Sequence, residues 1–442
     1  MKAFTFKGLF LTAVFILLGC LSIQAADDDL ITKQITIKLD KAGTLPDRIT
    51  SSKKYKITNL KIIGEINGTD FRMIREMAGS DYYGGSTEGN LSVLDLSEAK
   101  IVIGGGDCFN GYSCYTSNDV IGNRAFSGCS RLTSLTLPAS ITRIGDDAFC
   151  CCSGLTSLTL PAGITEIGYG AFWGCSGLTS LNLPAGITSI GDDAFYGCSG
   201  LTSITLPAGI TEIGGSAFNG CSRLTSLTLP AGITSIGGGA FYGCSGLTSL
   251  NLPAGITEIG GGAFGFCSGL TSINLPAGIT SIGEYAFYGC SGLTSLTLPA
   301  GITEIGECAF YGCSGLTSLT LPAGLTQIDD YAFSECSGLT SIYVYAEKVP
   351  KIGEDVFTGC DAKKCTVYVP KGTYDDYWLS DFRNYFENIV EFDATGIDKT
   401  TTSTDVEEVS RYSVNGQRLV GPTKGLNIVK YSDGSVKKVA VE

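Results

Sequence analysis

The stretch LTSLTLPAGITEIGYGAFWGC, from Leu155 to Cys175, recurs with few changes along most of the sequence. Its first leucine, taken as position 0, returns every 23 residues without slippage. Apolar residues recur at +3, +5, +9, +12, +16 and +17, and a cysteine closes each copy at +20. The leucines at position 0 are Leu132, Leu155, Leu178, Leu201, Leu224, Leu247, Leu270, Leu293, Leu316 and Leu339.

This spacing predicts a short strand in every copy, since +3 and +5 lie on one face of an extended chain. Proline at +6 in nine copies ends the strand because it lacks an N–H and has a fixed φ. One copy is too short to bury its own apolar residues, so successive copies must stack. We therefore predict a right-handed β-solenoid of the leucine-rich-repeat class, with about 11–12 coils of 23 residues.

The repeat, written C-x-x-L-x-x-[LI]-x-L-P-x-x-[IL]-x-x-I-G-x-x-A-F, resembles the BspA-type leucine-rich repeat of bacterial surface proteins over about 120–362. The flanking segments LKIIGEINGTDFRMIREM (60–77) and VYVPKGTYDDY (367–377) resemble the same family. The resemblance implies a secreted or surface-attached binding protein, with adhesion to host matrix proteins or cells as its usual role.

The sequence divides into six predicted parts. These are a signal peptide (1–26), an N-terminal cap (27–90), the leucine-rich-repeat solenoid (91–362), a C-terminal cap (363–393), a polar linker (394–409) and a small β tail (410–442). Within the N-terminal cap we expect strands near 34–40 and 55–66, then a helix that begins at Asp70, a common N-cap residue type. The turn sequences Asn415-Gly416 and Asp433-Gly434 predict hairpins in the tail. The tail is similar to a sorting tail of the type IX export route but shorter, which leaves the route open.

The first residues are typical of an export signal. Lys2 and Lys7 precede an apolar run at 9–18 that is too short to span a bilayer, and a small-residue cleavage site follows at Ala25. In an alternative interpretation, 17–20 form a bacterial lipobox and Cys20 carries a lipid. No other segment is long and apolar enough for a transmembrane helix. The protein is expected outside the cell or at the cell surface.

The charge distribution bears on the partners. The net charge is −13, and no lysine occurs between Lys100 and Lys348. A chain without a basic patch is poorly suited to nucleic acid or to an anionic membrane surface. We therefore expect neither as a partner.

The 18 cysteines include ten in the 23-residue ladder, and their side chains would run parallel, which fits disulfide geometry badly. We expect buried free thiols there, and no zinc site, because the spacing is wrong and the chain has no histidine. Cys108 and Cys114 are a candidate disulfide, and Cys360 and Cys365 are a similar pair.

Enzymatic function is not expected. The absence of histidine excludes Ser-His-Asp and Cys-His nucleophiles. The acidic pairs recur at the same part of the repeat, between +13 and +15, which is typical of solvated turns rather than of two unlike carboxylates in a cleft; they are Asp146-Asp147, Asp192-Asp193 and Asp329-Asp330. No cofactor and no metal are predicted.

Two surfaces are candidates for binding. The first is a stripe of aromatic residues at +18, which aromatic enrichment at interfaces favours; it comprises Trp173, Tyr196, Tyr242, Tyr288 and Tyr311. The second is the hydroxyl-rich strand face at +2 and +4, with Ser203, Thr205, Ser226 and Thr228. Side chains vary most at +14, +15, +18 and +19, as in Tyr169, Phe266, Tyr285 and Tyr331. The expected partners are host matrix or cell-surface proteins, or alternatively glycans that stack on the rings. It also remains open that the rings only shield the edge of the core.

Overall fold

A computed structural model describes residues 30–110, 116–393, 408–413, 418–419, 424–431 and 436–441. The predicted signal peptide with Cys20, the second half of the Cys108–Cys114 pair, most of the linker and both turn sequences of the tail lie outside the described residues.

Parallel strands stack along one side of the protein and form what we call the leucine ladder. Its members pair 23 residues apart through the repeats, as in Ser134 with Ser157 and Ser180 with Ser203. The strands form three sheets of seven, two and five. They are Ile35–Leu39, Asn59–Ile66, Val93–Ile101, Ser134–Thr136, Ser157–Thr159, Ser180–Asn182, Ser203–Thr205, Ser249–Asn251, Ser272–Asn274, Ser295–Thr297, Ser318–Leu321, Ser341–Val344, Thr366–Pro370 and Asn388–Phe392.

A second stack of two-residue strands, the isoleucine ladder, contains the isoleucine at +12 of each coil. Its strands are Val120–Ile121, Arg143–Ile144, Glu166–Ile167, Ser189–Ile190, Glu212–Ile213, Ser235–Ile236, Glu258–Ile259, Ser281–Ile282, Glu304–Ile305, Gln327–Ile328 and Lys351–Ile352. They also pair in parallel at the repeat spacing.

The third side of each coil is a turn that contains Ala-Phe at +16 and +17. Here N–H groups donate to carbonyls of the next coil, as from Phe149 to Ala171 (2.8 Å) and from Phe172 to Ala194 (2.9 Å). The phenylalanine rings of consecutive coils stack from Phe126 to Phe357 with centroids 5.2–5.6 Å apart. We call this continuous row of turns the turn spine.

The solenoid is confirmed, but it is longer than the 11–12 coils expected, with about 15 turns. The additional turns come from the regions assigned to the two caps. Ile35–Leu39 and Asn59–Ile66 pair in parallel before Val93–Ile101, and Thr366–Pro370 and Asn388–Phe392 continue the stack at the other end. These segments lack the 23-residue repeat, so counting repeats misses them.

The helices lie at the two ends of the solenoid: Leu45–Arg48, Ser51–Lys54, Gly68–Met77, Tyr374–Trp378 and Phe382–Tyr385. The expectation that Asp70 caps its helix is wrong. Asn67 is the N-cap, and the buried Asp70 is the third helical residue, whose carboxylate accepts the Asn67 N–H at 2.9 Å in a capping box.

The C-terminal tail forms an antiparallel sheet of four strands, Glu408–Ser413, Arg418–Leu419, Gly425–Tyr431 and Val436–Val441. Adjacent strands pair antiparallel, which is the arrangement that hairpins produce. Arg411 is buried there and donates to Asn427 at 3.3 Å.

The two ladders are interrupted at different coils, while the turn spine is not. Ser226–Thr228 forms no strand in the leucine ladder, although the isoleucine ladder continues past it from Glu212–Ile213 to Ser235–Ile236. The leucine ladder is interrupted again between Ser272–Asn274 and Ser295–Thr297. The isoleucine ladder is interrupted between Glu166–Ile167 and Ser189–Ile190 and between Glu258–Ile259 and Ser281–Ile282. The turn spine is therefore the side on which neighbouring coils stay in register throughout the repeats.

Candidate binding surfaces

The turn spine determines which side chains face outward. Because Ala and Phe at +16 and +17 are buried, the residues at +14, +15, +18 and +19 form an outer row that we call the turn edge. The backbone at +15 is left-handed, with φ of 53° at Asp147 and 57° at Tyr285. Position +19 is left-handed too and is usually glycine, as at Gly174 (67°).

Five rings of the turn edge form one continuous group, the large aromatic group. Phe266 contacts Tyr242 and Tyr288, with ring centroids 5.3 and 5.1 Å apart. Tyr288 stacks on Tyr311 at 4.9 Å and meets Tyr285 at 5.8 Å. The +18 pattern missed the connecting role of Phe266, because its coil reads Gly-Phe at +18 and +19 where its neighbours read Tyr-Gly.

The other two residues of the predicted stripe lie apart from this group. Trp173 and Tyr196 contact each other, with centroids 4.5 Å apart. Asn219 occupies the equivalent position in the next coil, so the stripe is two groups and not one. A cavity of about 350 Å³ beside Trp173 is lined by Tyr169, Cys150 and Asp147, among others.

Several of these rings are open to solvent and lie beside carboxylates. Phe266 is 44% exposed and Tyr285 is 40% exposed. The Tyr285 hydroxyl donates to Glu307 Oε1 at 3.1 Å, and this bond raises the pKa of Tyr285 to about 12. A hydrogen bond to Asp193 likewise raises the pKa of Tyr169 to about 12. Both phenols are therefore neutral donors at physiological pH.

The strand face contains a cleft at the interruption of the leucine ladder. All four residues of the predicted second face, Ser203, Thr205, Ser226 and Thr228, line this cleft of about 470 Å³. Leu206, Leu227 and Pro230 contribute apolar walls. The cleft thus offers hydroxyl groups over an apolar floor, without a charged side chain.

The threonines at +1 do not offer their hydroxyl hydrogens to a ligand, because they donate them to backbone carbonyls of the solenoid. Thr156 Oγ1 donates to Thr133 O at 3.2 Å, and Thr202 Oγ1 donates to Thr179 O at 3.0 Å. Bonds of this kind link most coils to the previous one, which explains why the repeat keeps threonine at a solvent-exposed position.

The ten ladder cysteines are buried free thiols, as expected. Nine of them, from Cys152 to Cys336, donate to the phenylalanine carbonyl of the previous coil, as Cys152 Sγ does to Phe126 O at 3.0 Å. Cys360 and Cys365 are free thiols too, so the suggestion that they pair is wrong; Cys360 Sγ contacts Phe333 O at 3.6 Å instead. Cys108 is disulfide-bonded, but its pairing with Cys114 stays a prediction, since Cys114 is not among the described residues.

Aspartates of the acidic pairs accept hydrogen bonds from backbone N–H groups. Asp146 and Asp192 accept N–H groups of the following coil, from Tyr169 at 3.0 Å and from Gly215 at 2.6 Å. Within the described part of the chain, no three His, Cys, Asp or Glu side chains come together as a metal site. Nor does any helix found there have the length and apolarity needed to cross a membrane.

Comparison with known proteins agrees with this architecture. The family described as BspA type leucine rich repeat region matches residues 119–248, 165–278 and 262–375, together more than half of the chain. A leucine-rich repeat protein from Bacteroides ovatus is 27% identical, with a TM-score of 0.51 over 78% of this chain and 86% of its own. A leucine rich cell surface protein from Faecalibacterium prausnitzii is 26% identical, with a TM-score of 0.37 over 72% and 91% of the two chains. No curated protein matches this chain.

The repeats, the two ladders and the turn spine define a leucine-rich-repeat solenoid. The chain belongs to the BspA-type leucine-rich-repeat family. This membership supports a protein-binding role for the repeats, suggests a cell-surface protein, and is generally associated with proteins that are not enzymes.

Proposed function

We propose that this protein is an exported, non-enzymatic surface protein that adheres to host matrix or cell-surface proteins through its turn edge. The large aromatic group carries the proposal. Tyr242, Phe266 and Tyr285 are each between 37% and 44% exposed and belong to one connected set of rings. Rigid aromatic anchors of this kind commonly contribute about 2 kcal/mol or more at the centre of a protein interface.

The test compares the two candidate surfaces. Replacing Trp173, Tyr196, Tyr242, Tyr288 and Tyr311 by serine should weaken binding to a panel of immobilised host matrix proteins by at least about tenfold. Replacing Ser203, Thr205, Ser226 and Thr228 by alanine should leave it within about twofold, since an exposed hydroxyl adds little. If the alanine variant loses binding strongly while the serine variant binds normally, the binding site lies on the strand face.

A second variant separates binding from folding, because some stripe rings are half-buried. In this variant only Tyr242, Phe266 and Tyr285 are changed to serine, because these three side chains are substantially exposed. If the rings merely shield the core edge, this variant loses stability in urea but binds as before. If they are anchors, binding falls while the urea midpoint changes little.

Glycan capture is the second candidate, and the stacked pair Tyr288–Tyr311 favours it, with an interplanar angle of 5°. Sugar rings stack on such aromatic faces, and neighbouring carboxylates such as Glu307 accept hydroxyl hydrogen bonds. A positive glycan array together with a negative matrix-protein panel would favour this function over adhesion to proteins.

A further inference from the structure

Four carboxylates occupy the +14 position, or its equivalent in the last coil, which has one extra residue, in consecutive coils at the C-terminal end of the solenoid. They are Glu284, Glu307, Asp330 and Glu354, which we call the acidic row. Parallel coils repeat about every 5 Å, and the phenylalanine rings behind this row are 5.2–5.6 Å apart. Like charges at such spacing repel one another.

Two carboxylates of earlier coils, at other repeat positions, are compensated from within the chain. Arg124 lies 3.0 Å from Asp147, and Arg143 lies 3.0 Å from Glu166, each one coil away. The acidic row has no such partner. None of its carboxylates forms an ion pair within the described residues, and the sequence has no lysine or arginine between Arg223 and Lys348.

The acidic row lies beside exposed rings of the same turn edge. Tyr285 donates to Glu307 at 3.1 Å and contacts Tyr288, and Tyr331 lies in the coil of Asp330. An arginine side chain suits this combination, because its planar guanidinium both pairs with a carboxylate and stacks on an aromatic face. A second copy of this chain fits poorly, since it brings the same negative charge.

The spacing of the carboxylates along the solenoid favours a helical partner over an extended one. Side chains on one face of an α-helix return about every 5.4 Å along its axis, close to the spacing of the coils. Same-face residues of an extended strand are about 6.6–6.8 Å apart and would fall out of step within a few coils. A helix lying along the turn edge can present one basic side chain to each carboxylate.

We propose that the acidic row and its neighbouring rings dock an arginine-rich helical segment of a protein partner. The inference rests on the proposed protein-binding function and adds the chemistry of the partner. The carboxylates attract the segment and set its register, and the rings hold the guanidinium groups once water is displaced.

The experiment measures binding of a labelled helical peptide to the full chain by fluorescence anisotropy. The peptide has arginines at i, i+4, i+7 and i+11, and the comparison peptide has the same composition with the arginines distributed around the helix. We expect the first peptide to bind at least about tenfold more tightly at low salt and to lose most of its affinity at 0.5 M salt, where charges are screened.

A matched pair of variants tests the site. The acidic-row variant carries glutamine in place of Glu284, Glu307 and Glu354. The control variant carries glutamine in place of Glu212, Glu258 and Glu304, which are exposed in the isoleucine ladder. Both remove three carboxylates of the same kind. The acidic-row variant should bind the peptide about tenfold more weakly, mainly through slower association. The control variant should lose less than about twofold in affinity.

Equal weakening by both variants, or equal affinity of both peptides, overturns the proposal, because general charge attraction would then suffice. Binding that disappears on addition of a chelator also overturns it, since a bridging divalent cation would be required. If the acidic-row variant binds normally while the serine variants of the rings lose host-protein binding, this inference fails and the proposed function stands. If the ring variants also bind normally, the proposed function fails.

Discussion

Cys151 occupies a backbone position that most coils give to glycine. Its φ is 59°, and it stands at +19, where the next coils have Gly174 and Gly197. Its Sγ lies 3.5 Å from Cys150 Sγ, and the hydrogen bond from Cys150 lowers the pKa of Cys151 to about 6. Burial has the opposite effect on the ladder thiols and raises the pKa of Cys198 to about 12. One exposed thiol should therefore differ sharply from the buried set.

We predict that iodoacetamide modifies Cys151 far faster than any ladder cysteine in the native protein. Because its pKa is lowered, the rate should rise through about pH 6 and level off near pH 7, whereas an ordinary thiol gains reactivity up to about pH 9. Peptide mass mapping over a pH series measures this. Cys151→Gly restores the residue common at this position and should remove the fast phase without loss of stability. A fast phase that survives this substitution would contradict the assignment.

Single residues show where inference from the sequence succeeds. The apolar positions, the free thiols of the ladder and the turn role of Asp146 follow from repetition, because one environment recurs in every coil. The contacts of Thr156 and Phe266 do not follow, since they depend on which atoms of the neighbouring coil lie nearby. The same limit explains the wrong pairing of Cys360 with Cys365.

At the scale of elements, the helix Gly68–Met77 is anchored to the start of the solenoid by one carboxylate. Asp70 is buried and accepts N–H groups from Gly43 at 2.6 Å, Leu45 at 2.9 Å and Asn67 at 2.9 Å. Three residues of the sequence Asn-Gly-Thr-Asp are of types that commonly cap helices, and only the fold shows that Asn67 is the cap. The long-range bonds to Gly43 and Leu45 leave no signal in the sequence.

Asp70→Ala should lower the free energy of unfolding by about 3 kcal/mol, because three backbone donors lose their acceptor in the interior. Urea denaturation monitored by circular dichroism provides the value. The control Asp47→Ala removes an exposed carboxylate in the neighbouring helix Leu45–Arg48 and should change the free energy of unfolding by less than about 0.5 kcal/mol. Similar losses in the two variants would show that Asp70 has no special role.

For the molecule as a whole, the constant register makes coils interchangeable. Each repeat contacts its neighbours through the same pairs of positions, as in Ser203 with Ser180 and Glu212 with Ser235. The sequence establishes this regularity fully within the repeats. It does not reveal the extra turns at the ends or the interruption at Ser226–Thr228, because that coil reads like the others and its geometry reflects the packing of the whole stack.

Deletion of one repeat, residues 201–223, should therefore give a folded protein shorter by about 5 Å. Gly200 then precedes Leu224, and the stacked rings continue from Phe195 to Phe241. Small-angle scattering measures the length, and circular dichroism measures the fold. Deletion of residues 206–216, about half a repeat, shifts every following apolar position and should abolish cooperative unfolding. A folded half-repeat variant would contradict the requirement for register.

The stack of about 15 turns also sets a standoff distance. At roughly 5 Å per turn, its first strand, Ile35–Leu39, and its last, Asn388–Phe392, are held about 70 Å apart. Whichever end is tethered, the opposite end is displayed at a fixed height that grows by one step with each added copy. Adding or removing a whole 23-residue copy keeps the same pairs of positions in contact between neighbouring coils. The distance between the two ends can thus change by whole coils without any new side-chain packing having to evolve.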